Sequence, residues 1–138
     1  MKRIGSLSVF TAMIVVLLVT GFAFAQDTIV KVVQKAGIGD YLIDGRGMTL
    51  YTFAKDTAGK SACEGLCVET WPPFYTKKVD AQGGLAAGDF RTIARPDGKK
   101  QTTYKGMPLY YFARDAKPGD TQGQGHSRRG PLWSVARP

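Results

Sequence analysis

The sequence predicts a mainly β protein: two duplicated antiparallel units sharing one core, with one short helix near a cysteine pair. Three observations carry this expectation. The decamer at residues 47–56, Gly-Met-Thr-Leu-Tyr-Thr-Phe-Ala-Lys-Asp, returns at residues 106–115 as Gly-Met-Pro-Leu-Tyr-Tyr-Phe-Ala-Arg-Asp, identical at seven of ten positions. Each copy follows a run holding a tyrosine (Tyr41, Tyr104) and a glycine turn, and precedes an Asp-containing turn, a variable excursion and a tryptophan (Trp71, Trp133). That is an internal repeat of one supersecondary unit, expected to pair about a pseudo-two-fold axis. Thr, Val, Ile and aromatic residues sit in short runs punctuated by Gly and Pro, the pattern of strands and turns.

The chain opens with Met1-Lys2-Arg3, an apolar run at residues 7–24, and Ala23-Phe24-Ala25 before Gln26. A basic start, a short apolar heart and a small-x-small end describe a secretory signal peptide over residues 1–25, cut between Ala25 and Gln26. The rival reading is an uncleaved anchor helix, for which the run is borderline in length. No cysteine stands at the cut, so lipid attachment there is not expected. Residues 26–138 then form one domain, with repeat units at about 38–74 and 90–138.

Residues 28–33 are β-rich and read as a first strand, and residues 41–43 as a second. Asp44-Gly45-Arg46-Gly47 is a turn, and residues 48–54 form the returning arm. Alternation sets Met48, Leu50 and Thr52 on one face and Thr49, Tyr51 and Phe53 on the other, with apolar groups on both, as in a central strand. Residues 61–71 read as a short helix capped by Ser61, with Glu64 at capping-box spacing and Pro72-Pro73 ending it. Gly65 weakens that helix. Residues 76–89 have no periodicity and read as loop. Residues 90–95 and 99–105 read as strands joined at Pro96-Asp97-Gly98, where Pro pre-sets φ and Gly takes the positive φ. The second decamer gives another strand, residues 115–130 a polar Gly-rich loop, and residues 132–136 the closing strand.

Cys63 and Cys67 are the chain's two cysteines. An even count in an exported chain suggests a disulfide closing a very small loop. A redox pair would have two intervening residues rather than three, and a metal pair would need more ligands than one histidine supplies.

The formal net charge is +8, and it is unevenly placed. Residues 26–75 hold 5 basic and 6 acidic groups, whereas residues 76–138 hold 12 and 5. The basic half suits an anionic lipid, a cell-wall polymer or an acidic envelope protein, although a solvated surface is the plainer reading. Export argues against nucleic acid as a partner.

Among single residues, Asp56 and Asp115 end the two decamers. Each reads first as a cap on the turn that follows. The functional alternative is a carboxylate pair drawn together by the pseudo-two-fold, able to bind a cation or do acid–base work. Tyr51, Phe53, Tyr110 and Phe112 read as core packing, or alternatively as a stacking surface for a quinone, a porphyrin or a sugar ring. Met48 and Met107 occupy equivalent positions as gap-fillers; with His126 they are the candidates for a Cu(I) site, since soft thioethers suit that ion. No Walker loop, dinucleotide fingerprint, zinc motif or nucleophile–histidine constellation is present. A non-catalytic envelope binding module follows as the expectation, with a periplasmic copper or cofactor carrier using Met, His and Asp as the alternative.

The Tyr-x-Phe-x-x-Asp motif, Trp71-Pro72-Pro73, and the run Arg95-Pro96-Asp97-Gly98 with Gln101-Thr102-Thr103-Tyr104-Lys105-Gly106 together resemble a bacterial family. It is the secreted repeat of unknown function, also described as predicted lipoproteins with a Tyr-x-(Phe/Trp/Tyr)-x-x-Asp motif. The resemblance implies an exported envelope protein of uncharacterised role. This chain departs from lipoprotein members in lacking a lipobox cysteine, which implies a periplasmic or secreted form without a membrane anchor after cleavage.

Overall fold

The computed structural model describes residues 28–127 and 132–138. The expected cleavage site at Ala25 and Gln26 lies outside the described residues. Strand β1 (Thr28–Lys35) turns back into β2 (Gly39–Asp44) in an antiparallel register that sets Val32 opposite Leu42. Strand β3 (Tyr51–Phe53) is short and central. It is followed by one helical turn, α1 (Leu66–Thr70), and by β4 (Val79–Ala81), which lies parallel to β1. The second half gives β5 (Phe90–Ala94), β6 (Lys100–Tyr104) and β7 (Met107–Pro108) as an antiparallel meander. The closing strand β8 (Trp133–Val135) pairs antiparallel with β3. The described residues thus form three small sheets, with orders β2-β1-β4, β3-β8 and β5-β6-β7.

The duplication is visible in the backbone bonding. At its centre Tyr51 and Tyr110 exchange amide–carbonyl bonds, 2.8 Å one way and 3.0 Å the other. On one side Leu42 N donates to Ala136 O, Ala136 N to Leu50 O, and Leu50 N to Leu42 O, closing a ring of three bonds of 2.8–3.0 Å. On the other side Thr102 N donates to Phe74 O, Phe74 N to Leu109 O, and Leu109 N to Thr102 O, at 2.8–3.0 Å. These rings reveal an exchange. The segment around Phe74 follows the first decamer in sequence but joins the hairpin of the second repeat. The segment around Ala136 follows the second decamer and joins the hairpin of the first.

Both hydrophobic clusters are therefore built from both repeats. One gathers Tyr41, Ile43, Tyr51, Phe53, Cys63 and Trp71 with Tyr110, Phe112, Trp133 and Val135. The other gathers Val30, Leu42, Leu50 and Phe74 with Tyr104, Leu109 and Ala136. The expected two-faced character of the first decamer holds, since Leu50 enters the second cluster and Tyr51 and Phe53 the first.

Three local expectations need correction. The helix expected over residues 61–71 is only α1, without a side-chain cap. Gly65 stands before it at φ 59°, and Ser61 lies buried in a polar network instead of capping it. Residues 76–89, expected as loop, contain β4 and a 3-10 turn at Ala87–Asp89. The parallel partner that orders β4 is distant in sequence, so local pattern does not reveal it. The second decamer is a ladder strand only over β7, and Tyr110 is held by single bridges to Tyr51 and Pro73. The turn at Pro96-Asp97-Gly98 forms as expected: Gly98 takes φ 80° and Asp97 accepts from Lys99 N at 3.0 Å. Cys63 and Cys67 are joined in a disulfide.

Candidate functional site

The decamer carboxylates sit at the ends of the central strands, where the chain turns back on itself: Asp56 N bonds Phe53 O and Asp115 N bonds Phe112 O. Each carboxylate then faces the tyrosine of the other repeat. Tyr110 donates its hydroxyl to Asp56 Oδ2 at 2.7 Å, and Tyr51 donates to Asp115 Oδ2 at 2.7 Å. The remaining oxygens cap the following loops. Asp56 Oδ1 accepts from Ala62 N at 2.6 Å, and Asp115 Oδ1 accepts from Gln122 N at 2.9 Å. The capping expected from sequence is present, and the crossed tyrosine bonds add a clasp between the repeats. Each aspartate is held by a different tyrosine and a different loop.

Burial raises the pKa of both carboxyls above the ordinary value. For Asp56 the Ala62 amide, the Tyr110 hydroxyl and nearby Arg95 pull the other way, and for Asp115 the Tyr51 hydroxyl and the Gln122 amide do. The two tyrosines are raised above their ordinary value, first by burial and also by the carboxylate each one faces.

The first clasp rests on a buried cation that the sequence reading did not single out. The Arg95 guanidinium is fully enclosed. It donates to Ser61 Oγ at 2.9 Å, Gln101 Oε1 at 2.7 Å, Cys63 O at 2.6 Å and Asp97 Oδ2 at 3.2 Å. Ser61 Oγ in turn lies 2.7 Å from the Tyr110 hydroxyl, and Gln101 Nε2 donates to Leu109 O at 2.7 Å. The disulfide fixes the loop that presents Cys63 O to Arg95. The signal available in the sequence is the Arg95-to-Gln101 run, which carries the hairpin and the family resemblance but does not say that Arg95 turns inward.

In the second clasp a backbone group takes the place of Ser61: Gly123 N donates to the Tyr51 hydroxyl at 3.2 Å. A Cβ at Gly123 would stand 2.8 Å from both the Trp71 and Tyr51 rings, so the close approach needs glycine.

Between the clasps runs a stack of four rings. Phe53 lies on Trp133 at 4.2 Å, Trp133 on Trp71 at 3.8 Å, and Trp71 on Phe112 at 4.4 Å. Tyr51 meets Trp71 edge-on at 5.4 Å, and Tyr110 meets Trp133 likewise at 5.0 Å. The arrangement obeys the pseudo-two-fold and buries these rings, and both faces of Trp71 and of Trp133 are taken by neighbouring rings.

The soft-ligand candidates are placed separately. His126 is exposed against the edges of Trp71 and Phe112. It lines a cleft with Cys67 and Leu132, whereas Met107 lines another with Thr52 and Arg137. Met48 is half-buried, its amide donating to Asp44 Oδ1 at 2.9 Å. Among the described residues no three His, Cys, Asp or Glu side chains gather as a metal site.

Two other aspartates are buried at turns. Asp44 accepts from Arg46 N and Met48 N through Oδ1, and from the Tyr111 hydroxyl at 2.7 Å through Oδ2. Asp120 accepts from Ala116 N and Lys117 Nζ, and the Lys117 ammonium foremost holds its pKa down to about 2. No buried side-chain polar atom among the described residues lacks a partner.

A family model described as a secreted repeat of unknown function matches the chain twice, over residues 32–75 and 91–136. Searches among curated proteins and among solved structures returned no match.

Proposed function

The chain belongs to the family of secreted repeats of unknown function, and on that premise we propose that it is a non-catalytic binding module of the cell envelope that takes an anionic partner. The observation that carries this reading is the sorting of charge in residues 76–138. Asp115 and Asp120, two of the five acidic residues there, are buried in the fold, against Arg95 alone of the basic residues described, while Lys77, Lys99, Lys100, Lys105 and Arg114 are exposed. The outer surface of this half is therefore more positive than its formal balance. A field of one sign raises the local concentration of an oppositely charged polymer or protein.

The motif itself reads as structural and lends catalysis no support. Both oxygens of Asp56 and of Asp115 accept hydrogen bonds from within the protein, so neither is left poised toward a substrate. The basic start, apolar run and Ala-x-Ala end of residues 1–25 support export to the periplasm or beyond. No helix of the described residues is long and apolar enough to cross a membrane.

Co-sedimentation of the purified protein with envelope fractions over a salt series tests this reading. Retention is expected to fall steeply as ionic strength rises and the Debye length shrinks, and to fall at low salt in a Lys99→Glu/Lys100→Glu variant. Retention indifferent to salt and to that charge reversal would contradict it.

A further inference from the structure

The pseudo-two-fold relates two surface clefts that the duplication would have made alike, and they have diverged. One, of about 420 Å³, is lined by Asp44, Arg46, Phe74, Tyr75 and Tyr111. Its counterpart is lined at matching positions by Lys105, Ala136, Arg137 and Thr52. Elsewhere the two copies keep what the fold uses: Leu50 and Leu109, Tyr51 and Tyr110, Phe53 and Phe112, Trp71 and Trp133. At this pair of clefts the two copies differ in residue type. Ala136 and Phe74 occupy equivalent places in the two rings of backbone bonds, and Thr52 and Tyr111 occupy the same decamer position. Phe74 and Tyr111 serve the core as well as the cleft, whereas Tyr75, at the place of Arg137 in the other copy, is the aromatic that the core does not use.

Tyr75 is the clearest case. Its side chain is 44% exposed, and apart from Leu66 it is the large apolar residue left open among the described residues. Tyr111 beside it is fixed rather than free: its hydroxyl donates to Asp44 Oδ2, and its ring meets Phe74 edge-on at 5.6 Å. Arg46 lies over the Tyr111 ring at 5.5 Å and is paired to Asp44 at 3.1 Å, with its side chain 72% exposed. The cleft is therefore a ring platform beside a guanidinium held by its carboxylate. Arg46 and Asp44 offset each other, and Tyr111 is an uncharged phenol whose pKa burial pushes further up. A charge-balanced site with an exposed ring face and a largely exposed guanidinium matches an uncharged ligand that has an apolar face and hydroxyls at its rim. Such a ligand is a pyranose ring.

We infer that this cleft binds one pyranose unit of an uncharged glycan, with the Tyr75 ring stacked on the sugar face and Arg46 donating to its hydroxyls. The cleft lining includes none of Lys77, Lys99, Lys100, Lys105 and Arg114, and it needs no charge on its ligand.

The test uses the full folded domain and two neutral probes, N-acetylglucosamine oligomers and maltotetraose, titrated while the ring-proton signals of Tyr75 and Tyr111 are followed. At least one probe is expected to shift both rings, with an affinity unchanged by salt. Tyr75→Ala is expected to weaken binding about tenfold, the scale of one ring contact. Tyr75→Arg, which gives the cleft its counterpart's residue, is expected to do the same. Tyr75 is exposed, and unaltered signals from the Trp71–Trp133 stack would show that both variants are folded. Shifts absent with both probes, or binding equal in both variants, would overturn the proposal. Saccharide binding that disappears with rising salt would also overturn it and return the interaction to the basic surface. Loss of envelope retention in Lys99→Glu/Lys100→Glu with saccharide binding intact would leave this site standing apart from the charge-based reading.

Discussion

At the residue scale, each aspartate of the Tyr-x-Phe-x-x-Asp motif owes its place to a tyrosine in the other repeat. Tyr51→Phe removes one donor from Asp115 and strips Gly123 N of its acceptor. Leaving buried polar groups unpaired costs about 1–3 kcal/mol, so urea denaturation should show a loss of that size. Protonation follows the same bonds. Tyr51, Tyr110 and Tyr111 all have folded-state pKa values raised above the ordinary 10.0. Their stabilising contribution is whole below that pH and is lost as pH rises beyond it, because the unfolded chain ionises first. Absorbance titration should find these three of the six tyrosines silent until the protein unfolds. Asp56 and Asp115 are raised as well, so acid does not unfold the protein through them: their contribution is full below the ordinary 3.8 and is lost as pH rises through their raised values. Asp120 behaves oppositely, its contribution present above 3.8 and lost as pH falls toward about 2. The capping half of the aspartates' role was legible in the sequence from their place after a strand. The crossing was not, because no local pattern says which tyrosine a carboxylate will meet. Arg95 was not legible as a buried cation, since a charged residue in an alternating strand ordinarily faces water.

At the element scale, the loops after the decamers are held by close contacts rather than by regular structure. Gly123→Ala would push a methyl group into Trp71 and Tyr51. Overpacking of this kind costs about 1–3 kcal/mol, and thermal unfolding should reveal it together with a changed tryptophan emission. The Cys63–Cys67 bridge spans a sequence separation of only 4. Loop-closure entropy assigns so small a ring about 2 kcal/mol, and a Cys63→Ala/Cys67→Ala variant should lose that much or somewhat more if Cys63 O moves from Arg95. The strands and turns around Gly47 and Gly98 were readable from glycine and proline placement. The helix was not, because apolar spacing and a serine three residues before a glutamate imitate a capped helix. The disulfide and the Arg95 bonds to Ser61 and Cys63 O claim the same residues for an irregular loop. Strand β4 is not legible for a related reason: its order comes from a parallel partner some fifty residues away.

At the scale of the whole molecule, the sequence duplication forecast a shared core but not its interlacing. Each hairpin is completed by the segment that follows the opposite decamer, as the rings through Leu42–Ala136 and Thr102–Phe74 show. Identity between two decamers announces a repeat and leaves open whether its parts stay side by side or change places. Interlaced repeats have no separable halves, so tryptophan fluorescence and far-UV circular dichroism should report one coincident unfolding transition. The most direct measurement of this interlacing is a pair of double-mutant cycles by equilibrium denaturation. For Tyr110→Phe with Asp56→Ala, partners across the repeats, the coupling should lie at about 0.5–3 kcal/mol. For Tyr51→Phe with Asp56→Ala, both within one repeat, the effects should add to within about 0.5 kcal/mol. Coupling within the repeat and additivity across it would contradict the crossed clasp.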